Sequence, residues 1–252
     1  MTLPRAVFLD VGWTLTHPRE SLWAALGAVV AQNGGTSTAD DLEQTVYSLM
    51  QHRLKQSIAR FKPGTEHEDS DEAFRAVFHS IGSFAFQLAG IEDNHEMLTN
   101  QMLQRFWALE NWVVFPDVIP AIRQLRAQGI GVSVISNAGS ELVGFLELIG
   151  LAPYMDHILV SAVEGMAKPD QRLFRHALDR TGVSASEAIH VGDMYLEDIL
   201  GARQLGIRPF LIDRGSFGMF PNHPILTDQA SQKNVDLVHT LDEVLTTIYP
   251  EA

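Results

Sequence analysis

Four short segments of this 252-residue chain carry side chains that are able to handle a phosphate group. Each follows an apolar run of strand length, and they are residues 10–14, Ser136-Asn137, Lys168-Pro169, and Gly192-Asp193 with Asp198. The carboxyl ends of parallel strands meet at one edge of a sheet, so these segments are expected to converge there. Together they supply a carboxylate nucleophile, a hydroxyl, a cation and further carboxylates. The sequence therefore predicts a site for phosphoryl transfer.

Asp10 is the predicted nucleophile, because attack of a carboxylate on phosphorus divides one difficult displacement into two easier ones. Ser136 and the backbone amide of Asn137 are expected to hold the phosphoryl oxygens, and Lys168 is expected to balance developing charge. Thr14 is expected to support the turn after Asp10 beside the substrate. We therefore predict Asp10, Ser136 and Lys168 as catalytic residues, with Thr14 and Asn137 in substrate binding.

Three of these carboxylates predict a metal site. Asp10, Asp193 and Asp198 would repel one another at close range unless a cation lay among them. Oxygen ligands without cysteine or paired histidine favour Mg²⁺. The predicted metal residues are Asp10, the backbone carbonyl of Gly12, Asp193 and Asp198. Asp198 comes five residues after Asp193 and is expected to orient the site rather than to bind the ion directly.

The elements that carry these residues form an alternating pattern of strands and helices. Apolar runs at 6–9, 131–135, 157–160, 188–191 and 209–212 are separated in the second half of the chain by helical patterns. This alternation predicts a doubly wound, Rossmann-like parallel α/β sheet. Between about residues 16 and 112 apolar residues instead recur every three or four positions. We therefore predict a core domain of 1–15 and 113–252 with an inserted helical cap domain of 16–112.

Composition narrows the class of partner. The formal net charge is −13, which argues against nucleic acid or an anionic membrane as partner but not against a small phosphorylated metabolite. The absence of cysteine excludes disulfides and thiolate chemistry. No apolar run reaches membrane-spanning length and no signal peptide is recognisable, so a cytoplasmic protein is expected, as a monomer or a homodimer.

These motifs resemble those of the haloacid dehalogenase superfamily. The resemblance covers nearly the whole chain, and the helical insert looks like that superfamily's type-1 cap. The stretches 134–137, 168–170 and 190–195 with Asp198 are similar to the branch called haloacid dehalogenase-like hydrolase domain-containing proteins. The resemblance implies a Mg²⁺-dependent phosphatase that forms an aspartyl phosphate on Asp10.

Gly12 departs from the usual motif of that superfamily, in which a second carboxylate at this position protonates the leaving group and activates water. Loss of general acid–base catalysis costs roughly 10²–10⁴-fold in rate. His17 is the nearest titratable replacement. The predicted function is therefore an atypical Mg²⁺-dependent hydrolase of a small phosphate monoester. The alternative is a catalytically weakened protein that binds a phosphorylated ligand or a protein partner in a regulatory role.

Two other activities of the superfamily also proceed without that carboxylate. Phosphonate hydrolysis requires a Schiff-base lysine in the cap, for which Lys55 and Lys62 are available. Metal-free dehalogenation is disfavoured by Gly192-Asp193. The cations on and after one long cap helix are able to contact an anionic substrate, although charged residues on a helix usually form a solvated face; they are Arg53, Lys55, Arg60 and Lys62.

Overall fold

A six-stranded parallel sheet forms the centre of the protein in a computed structural model, which describes residues 3–59, 69–218 and 235–249, without side chains for 50–59. The strand order is β5-β4-β1-β6-β7-β8. The strands are β1 (Ala6–Leu9), β4 (Gly131–Ser136), β5 (His157–Val160), β6 (Ala188–Gly192), β7 (Arg208–Ile212) and β8 (Asp236–Val238). β1 lies between β4 and β6, so the three strands predicted to carry site residues are neighbours.

The sheet is buried on both faces, which explains why its strands are continuously apolar in sequence. Alternate residues of β1 enter different cores. Val7 and Leu9 pack in a cluster with α5 and α10, and Ala6 and Phe8 pack in a second cluster with α8. The helices of this part are α5 (Val118–Ala127), α6 (Leu142–Leu148), α7 (Ser161–Glu164), α8 (Gln171–Thr181), α9 (Gly201–Arg203) and α10 (Leu241–Ile248). The predicted Rossmann-like α/β fold is confirmed.

The segment after β6 differs from the expected α-helix over residues 196–205. It forms a π-helix at Tyr195–Leu200, which continues into α9. A hydrogen bond of α-helical span, from the amide of Asp198 to the carbonyl oxygen of Met194 at 2.8 Å, precedes this wider turn. π-helical turns are rare and concentrate at functional sites. Here the turn places Asp198 beneath the end of β6, where its side chain is completely buried.

Among the described residues, four helices lie in the insert between β1 and α5, and they share a hydrophobic cluster that includes Trp23, Phe86 and Phe106. They are α1 (Leu22–Gln32), α2 (Ala39–Ala59), α3 (Asp71–Leu88) and α4 (His95–Phe106). The helical patterns in the sequence at 22–30, 42–61, 72–89 and 97–109 predict four helices with bounds within three residues of these. α1 and α3 begin at Ser21 and Ser70, whose hydroxyls accept from the backbone three residues later.

The insert leaves and rejoins the sheet through a short antiparallel ribbon of β2 (Thr16–Pro18) and β3 (Trp112–Val114). This strand at Thr16–Pro18 lies inside the region expected to be helical throughout. The division of the chain into domains at residues 16 and 112 stays a prediction. Arg60 and Lys62 lie outside the described residues, as do the side chains of Arg53 and Lys55.

Across the part of the chain that the structure describes, no helix combines the length and apolar character needed to cross a membrane.

Candidate active site

Asp10 lies directly beyond the end of β1, buried among the groups that the sequence predicted around it. Its Oδ1 accepts a hydrogen bond from Ser136 Oγ at 3.0 Å and another from Lys168 Nζ at 2.7 Å. Oδ2 accepts none from the described residues, which leaves this oxygen available to a ligand. Ser136 and Lys168 therefore hold Oδ1 in place, and Oδ2 remains available to a ligand.

Lys168 joins two carboxylates in the interior. Its Nζ also donates to Asp198 Oδ1 at 2.6 Å, and its side chain is only 2% exposed. Asp198 Oδ1 is in addition 2.8 Å from His190 Nε2, and Oδ2 accepts from the backbone amide of Met194 at 2.9 Å. Both oxygens of Asp198 are thus engaged by protein groups. This arrangement favours an orienting role for Asp198.

Asn137 ties the two loops that carry Ser136 and Lys168. Its side-chain Nδ2 donates to the carbonyl oxygen of Lys168 at 2.8 Å, and its Oδ1 accepts from the amide of Lys168 at 2.7 Å. The peptide between Lys168 and Pro169 is cis. The side chain of Asn137 therefore positions Lys168, which leaves its backbone amide for the predicted contact with a ligand.

Backbone hydrogen bonds among residues 11–16 close a tight turn after Asp10. The carbonyl oxygen of Val11 accepts from the amides of Leu15 and Thr16 at 2.9 and 3.0 Å, and the amide of Trp13 donates to the carbonyl of Thr16 at 2.7 Å. Trp13 has a φ of 54°, a left-handed conformation that is strained for a bulky side chain. Strain of this kind persists where the surrounding structure enforces it, and it concentrates at functional sites.

Thr14 is completely buried in this turn, and its hydroxyl has no hydrogen-bond partner among the described residues. Its carbonyl oxygen accepts from Arg214 Nη2 at 2.7 Å and Nε at 3.1 Å. Arg214 also donates to Asp117 Oδ2 at 2.8 Å and lies 4.2 Å from the centre of the Phe115 ring. Thr14 supports the turn through its backbone, and its contact with a substrate stays a prediction.

Three carboxylates converge at this edge of the sheet. Asp10, Asp193 and Asp198 each offer an oxygen within 4.8 Å of the others, and Asp193 follows β6 directly. Oxygen donors at this spacing fit a small hard cation such as Mg²⁺. The cluster is therefore able to hold a metal ion.

Lys168 only partly balances the negative charge of Asp10, Asp193 and Asp198. Burial raises the pKa of Asp193 well above its usual value, and the charges of Asp10 and Asp198 raise it further. Burial likewise raises the pKa of Asp10, although Lys168 acts in the opposite direction. For Asp198 the charge of Lys168 and the hydrogen bond from His190 outweigh burial, so that its pKa is lowered. Burial lowers the pKa of Lys168 less than Asp10 and Asp198 raise it. A cation near Asp193 would relieve the remaining repulsion.

Gly12 leaves room where an acid would stand. A Cβ built on Gly12 meets no atom within 4 Å. His17, the expected alternative, lies in β2 opposite Val113, with its ring between those of Phe115 and Phe217 at 4.6 Å from each. Its Nδ1 is 3.1 Å from the carbonyl oxygen of Pro18. The described contacts of His17 are with these groups and not with Asp10.

Two residues of the site were not predicted from the sequence. His190 sits inside an apolar strand and reads as a core residue, although its position two residues before the Gly-Asp pair places it on β6 near the cluster. Arg214 follows β7 by two residues, and no pattern in the chain links it to Thr14, 200 positions away. The one signal available was position on or just after a core strand, since His190 lies within β6 and Arg214 lies two residues after β7.

Comparison with known proteins agrees with this geometry. The family model of haloacid dehalogenase-like hydrolases matches residues 4–206. A zebrafish (Danio rerio) protein named haloacid dehalogenase-like hydrolase domain-containing protein 3 is 40% identical over 119 residues, which are 47% of this chain and 49% of that protein. A phosphoserine phosphatase of Thermus thermophilus is 36% identical over 107 residues, 40% of this chain and 41% of its own. The chain spans about half the length of the relatives it matches.

Solved structures share the fold. The putative haloacid dehalogenase-type hydrolase YfnB of Bacillus subtilis, whose crystals contain magnesium, superposes with a TM-score of 0.70 at 19% identity, covering 98% of this chain and 99% of its own. The matched range spans most of the chain and includes Asp10, Ser136, Lys168 and Asp193. This chain therefore belongs to the haloacid dehalogenase-like hydrolase family.

Proposed function

We propose that this protein is a Mg²⁺-dependent phosphatase of a small phosphate monoester, with Asp10 as the nucleophile. One observation carries the proposal: Asp10 is buried with Oδ1 bonded by Ser136 and Lys168, while Oδ2 faces no described hydrogen-bond donor. A carboxylate that served only structure would be expected to have both oxygens satisfied when buried. The arrangement instead presents one oxygen to an incoming group.

In the first step Asp10 Oδ2 attacks the phosphorus atom of the ester. A bond forms between that oxygen and phosphorus, and the bond from phosphorus to the alcohol oxygen breaks with its electron pair. Lys168 and the hydroxyl of Ser136 lie beside the attacking carboxylate and stabilise charge on the transferred phosphoryl group. Because residue 12 is glycine, the departing alkoxide takes its proton from water rather than from a positioned acid.

The metal-binding role falls to Asp10, the carbonyl oxygen of Gly12 and Asp193, with Asp198 as the residue that orients Lys168. Mg²⁺ bound there supplies positive charge beside the phosphate dianion. The fit rests on three carboxylate oxygens within 4.8 Å and on the raised pKa values of Asp10 and Asp193, both of which a cation would lower. Asp198 has both oxygens bonded to Lys168, His190 and Met194, which supports the orienting role.

In the second step water attacks the aspartyl phosphate, releasing phosphate and the free Asp10 carboxylate. No carboxylate at residue 12 activates this water, so the step is expected to be slow, by about 10²–10⁴-fold relative to a site with a positioned base. A good leaving group does not need protonation in the first step. An ester with a good leaving group therefore phosphorylates Asp10 readily, and the intermediate is hydrolysed slowly.

The relatives support the substrate class. The matching Thermus protein is named as a phosphatase of a small phosphorylated amino acid. The net charge of −13 is consistent with a soluble metabolite rather than nucleic acid or a membrane as partner, and we propose a cytoplasmic setting with a monomeric or homodimeric state.

A second function is favoured by Gly12 alone: a weakened phosphatase fold that binds a phosphorylated ligand or protein partner in a regulatory role. The two functions differ in the fate of bound phosphate. Only the enzyme transfers phosphoryl to Asp10, and only the enzyme releases the alcohol.

The test is release of the aryl alcohol and of phosphate from an aryl phosphate with Mg²⁺, compared with Asp10→Asn. Continuous release of both products, lost in Asp10→Asn, supports the phosphatase. One equivalent of the aryl alcohol without phosphate release indicates an intact nucleophile and a stalled second step. Binding of phosphate without any release of alcohol favours the regulatory function.

A further inference from the structure

A cavity of about 410 Å³ opens beside the turn that follows Asp10. Its walls come from three places: Trp13 in that turn, the segment of β2 through the start of α1 with His17, Arg19 and Ser21, and the loop after β7 with Ser216 and Phe217. The volume is typical of small-molecule sites. Trp13 is three residues from the nucleophile, and the space over Gly12 next to it is empty of protein atoms within 4 Å of a built Cβ. The cavity shares Trp13 with the turn that follows Asp10, and we infer that the alcohol part of an ester on Asp10 extends toward it.

The charge of this cavity differs from that of the protein. The chain carries 31 acidic and 18 basic side chains, yet none of the described residues that line the cavity is acidic, and Arg19 is the cation among them. Arg19 is exposed and makes no ion pair within the described parts of the chain. An arginine in the lining of a cavity without described acidic residues favours an anionic group on the ligand.

The backbone of Arg19 is held in place by hydrogen bonds, although the residue is exposed. Its backbone amide donates to the carbonyl oxygen of Asn111 at 2.6 Å, and the amide of Glu20 donates to Asn111 Oδ1 at 2.7 Å. The carboxylate of Glu20 accepts from Nε and Nη2 of Arg105. The nearest acid in sequence is therefore engaged elsewhere, and it does not neutralise Arg19.

We propose that Arg19 is a specificity-determining residue, which binds a second anionic group, a carboxylate or a phosphate, on the alcohol part of the substrate. The proposal rests on the proposed phosphatase function. The remaining lining includes the aromatic residues Trp13, His17 and Phe217 and the polar residues Ser21 and Ser216. The proposed substrate is then either the phosphate monoester of a small hydroxy acid or a small diol that carries two phosphate groups.

The experiment compares kcat/KM for three esters of similar size: 2-phosphoglycolate and propane-1,3-diol bisphosphate, whose alcohol parts are anionic, and 2-hydroxyethyl phosphate, whose alcohol part is uncharged. Wild type is expected to prefer one of the anionic esters, and Arg19→Gln is expected to lower kcat/KM for that ester by roughly 10- to 100-fold. The value for 2-hydroxyethyl phosphate is expected to change less than about twofold. Arg19→Lys retains part of the preference, and Arg123→Gln on α5 is the control with the same change in net charge.

No preference in wild type, or an equal loss on all three esters, overturns the proposal. An aryl phosphate separates this result from failure of the phosphatase function, which appears as no Asp10-dependent release from any ester. In that case calorimetric binding of the same three probes to Asp10→Asn, with and without Arg19→Gln, decides the role of Arg19. An affinity advantage for an anionic probe that disappears in Arg19→Gln supports it, and equal affinities contradict it.

Discussion

Gly192 and Asp198 lie so close that a Cβ on Gly192 would stand 2.1 Å from the carboxyl carbon of Asp198. The π-helix after β6 turns the Asp198 side chain back against the end of the strand. From there it reaches Lys168, His190 and the amide of Met194. The absence of a side chain at residue 192 is thus a condition for the hydrogen bonds that orient Lys168 toward Asp10.

We expect Gly192→Ala to displace Asp198 and to separate it from Lys168. Overpacking of this kind costs about 1–3 kcal/mol of stability, and a misplacement of about 1 Å in a catalytic group lowers kcat on the order of 10²-fold. Urea unfolding and steady-state turnover of an aryl phosphate measure the two effects. Gly12→Ala is the matched control because its Cβ meets no atom within 4 Å. Equal effects of the two substitutions would contradict the role given to the close contact.

We expect Gly12→Asp to accelerate the hydrolysis of the aspartyl phosphate. The open space at residue 12 accommodates the side chain, and a positioned carboxylate supplies the missing acid and base, for a gain of roughly 10²-fold or more. Turnover of 2-hydroxyethyl phosphate should rise more than turnover of an aryl phosphate, whose leaving group needs less protonation. Gly12→Asn is the control of similar shape without a titratable carboxylate. Equal rates in the Asp and Asn variants would show that residue 12 is not the limiting feature.

We expect His190→Leu to destabilise the protein by about 1–3 kcal/mol, because Asp198 loses a hydrogen bond in a site from which water is excluded. His190 is completely buried, with its Nε2 2.8 Å from Asp198 and its ring edge-on to Phe174 at 5.1 Å. The Nδ1 atom has no partner among the described residues, so the loss comes from Nε2 alone. Chemical denaturation measures the change. His190→Gln retains an amide donor and should recover part of it; if it is no better than His190→Leu, packing rather than the hydrogen bond explains the loss.

We expect Arg214→Met to destabilise the turn after Asp10. The Arg214 side chain is 4% exposed and its partner Asp117 is 9% exposed, so the substitution leaves a nearly buried carboxylate without its cation. Breaking such a pair costs roughly 3–5 kcal/mol. The control is Arg208→Met, whose pair with Asp236 is 33% and 42% exposed and is expected to contribute less than about 1 kcal/mol. Thermal melting of both variants under one set of conditions makes the comparison, and similar shifts would contradict this account of Arg214.

A contact between the helical insert and the loop after β4 is expected to depend on pH. Asp71 at the start of α3 accepts from both the amide and the hydroxyl of Ser140, at 2.7 and 2.8 Å. Those bonds lower the pKa of Asp71 below its usual 3.8. The contact therefore stabilises the protein above pH 3.8, and the stabilisation is lost as the pH falls through the lowered pKa.

The difference in Tm between wild type and Asp71→Asn measures this contribution. We expect a difference near pH 7 that shrinks as the solution is acidified below pH 3.8. Asp242 in the first turn of α10 has no recorded bond of this kind among the described residues, and Asp242→Asn serves as the control. A pH-independent difference for Asp71→Asn would argue against the carboxylate as its origin.

The sequence predicted the residues that follow strand ends, because that position is fixed by topology. Asp10, Ser136 and Asp193 each come directly after an apolar run, and neighbouring parallel strands bring such positions together. Lys168 was also expected, although its bond to Asp198 was not. The cluster of Asp10, Asp193 and Asp198 lies as close as a metal site requires.

What the sequence did not predict depends on contacts between distant segments or on local helix geometry. The hydrogen bonds from Arg214 to Thr14 join residues 200 positions apart. The π-helix at Tyr195–Leu200 has an apolar spacing close to that of an α-helix, so periodicity does not separate the two. The side chain of Asn137 faces Lys168 because the two loops lie side by side, which no local pattern encodes.

The ribbon of β2 and β3 brings the two ends of the helical insert together. Thr16 pairs with Val114 and Pro18 with Trp112, and the amide of Phe115 donates to the carbonyl oxygen of Leu15 at 3.0 Å. The chain therefore departs and returns about 5 Å apart, the spacing of any antiparallel pair. An insert of different length or content with the same end spacing would leave the pairing of β2 with β3 unchanged. If Arg19 sets the selectivity for the alcohol, as proposed, substitutions within the insert alter that selectivity without moving the strand ends that carry Asp10, Ser136 and Asp193.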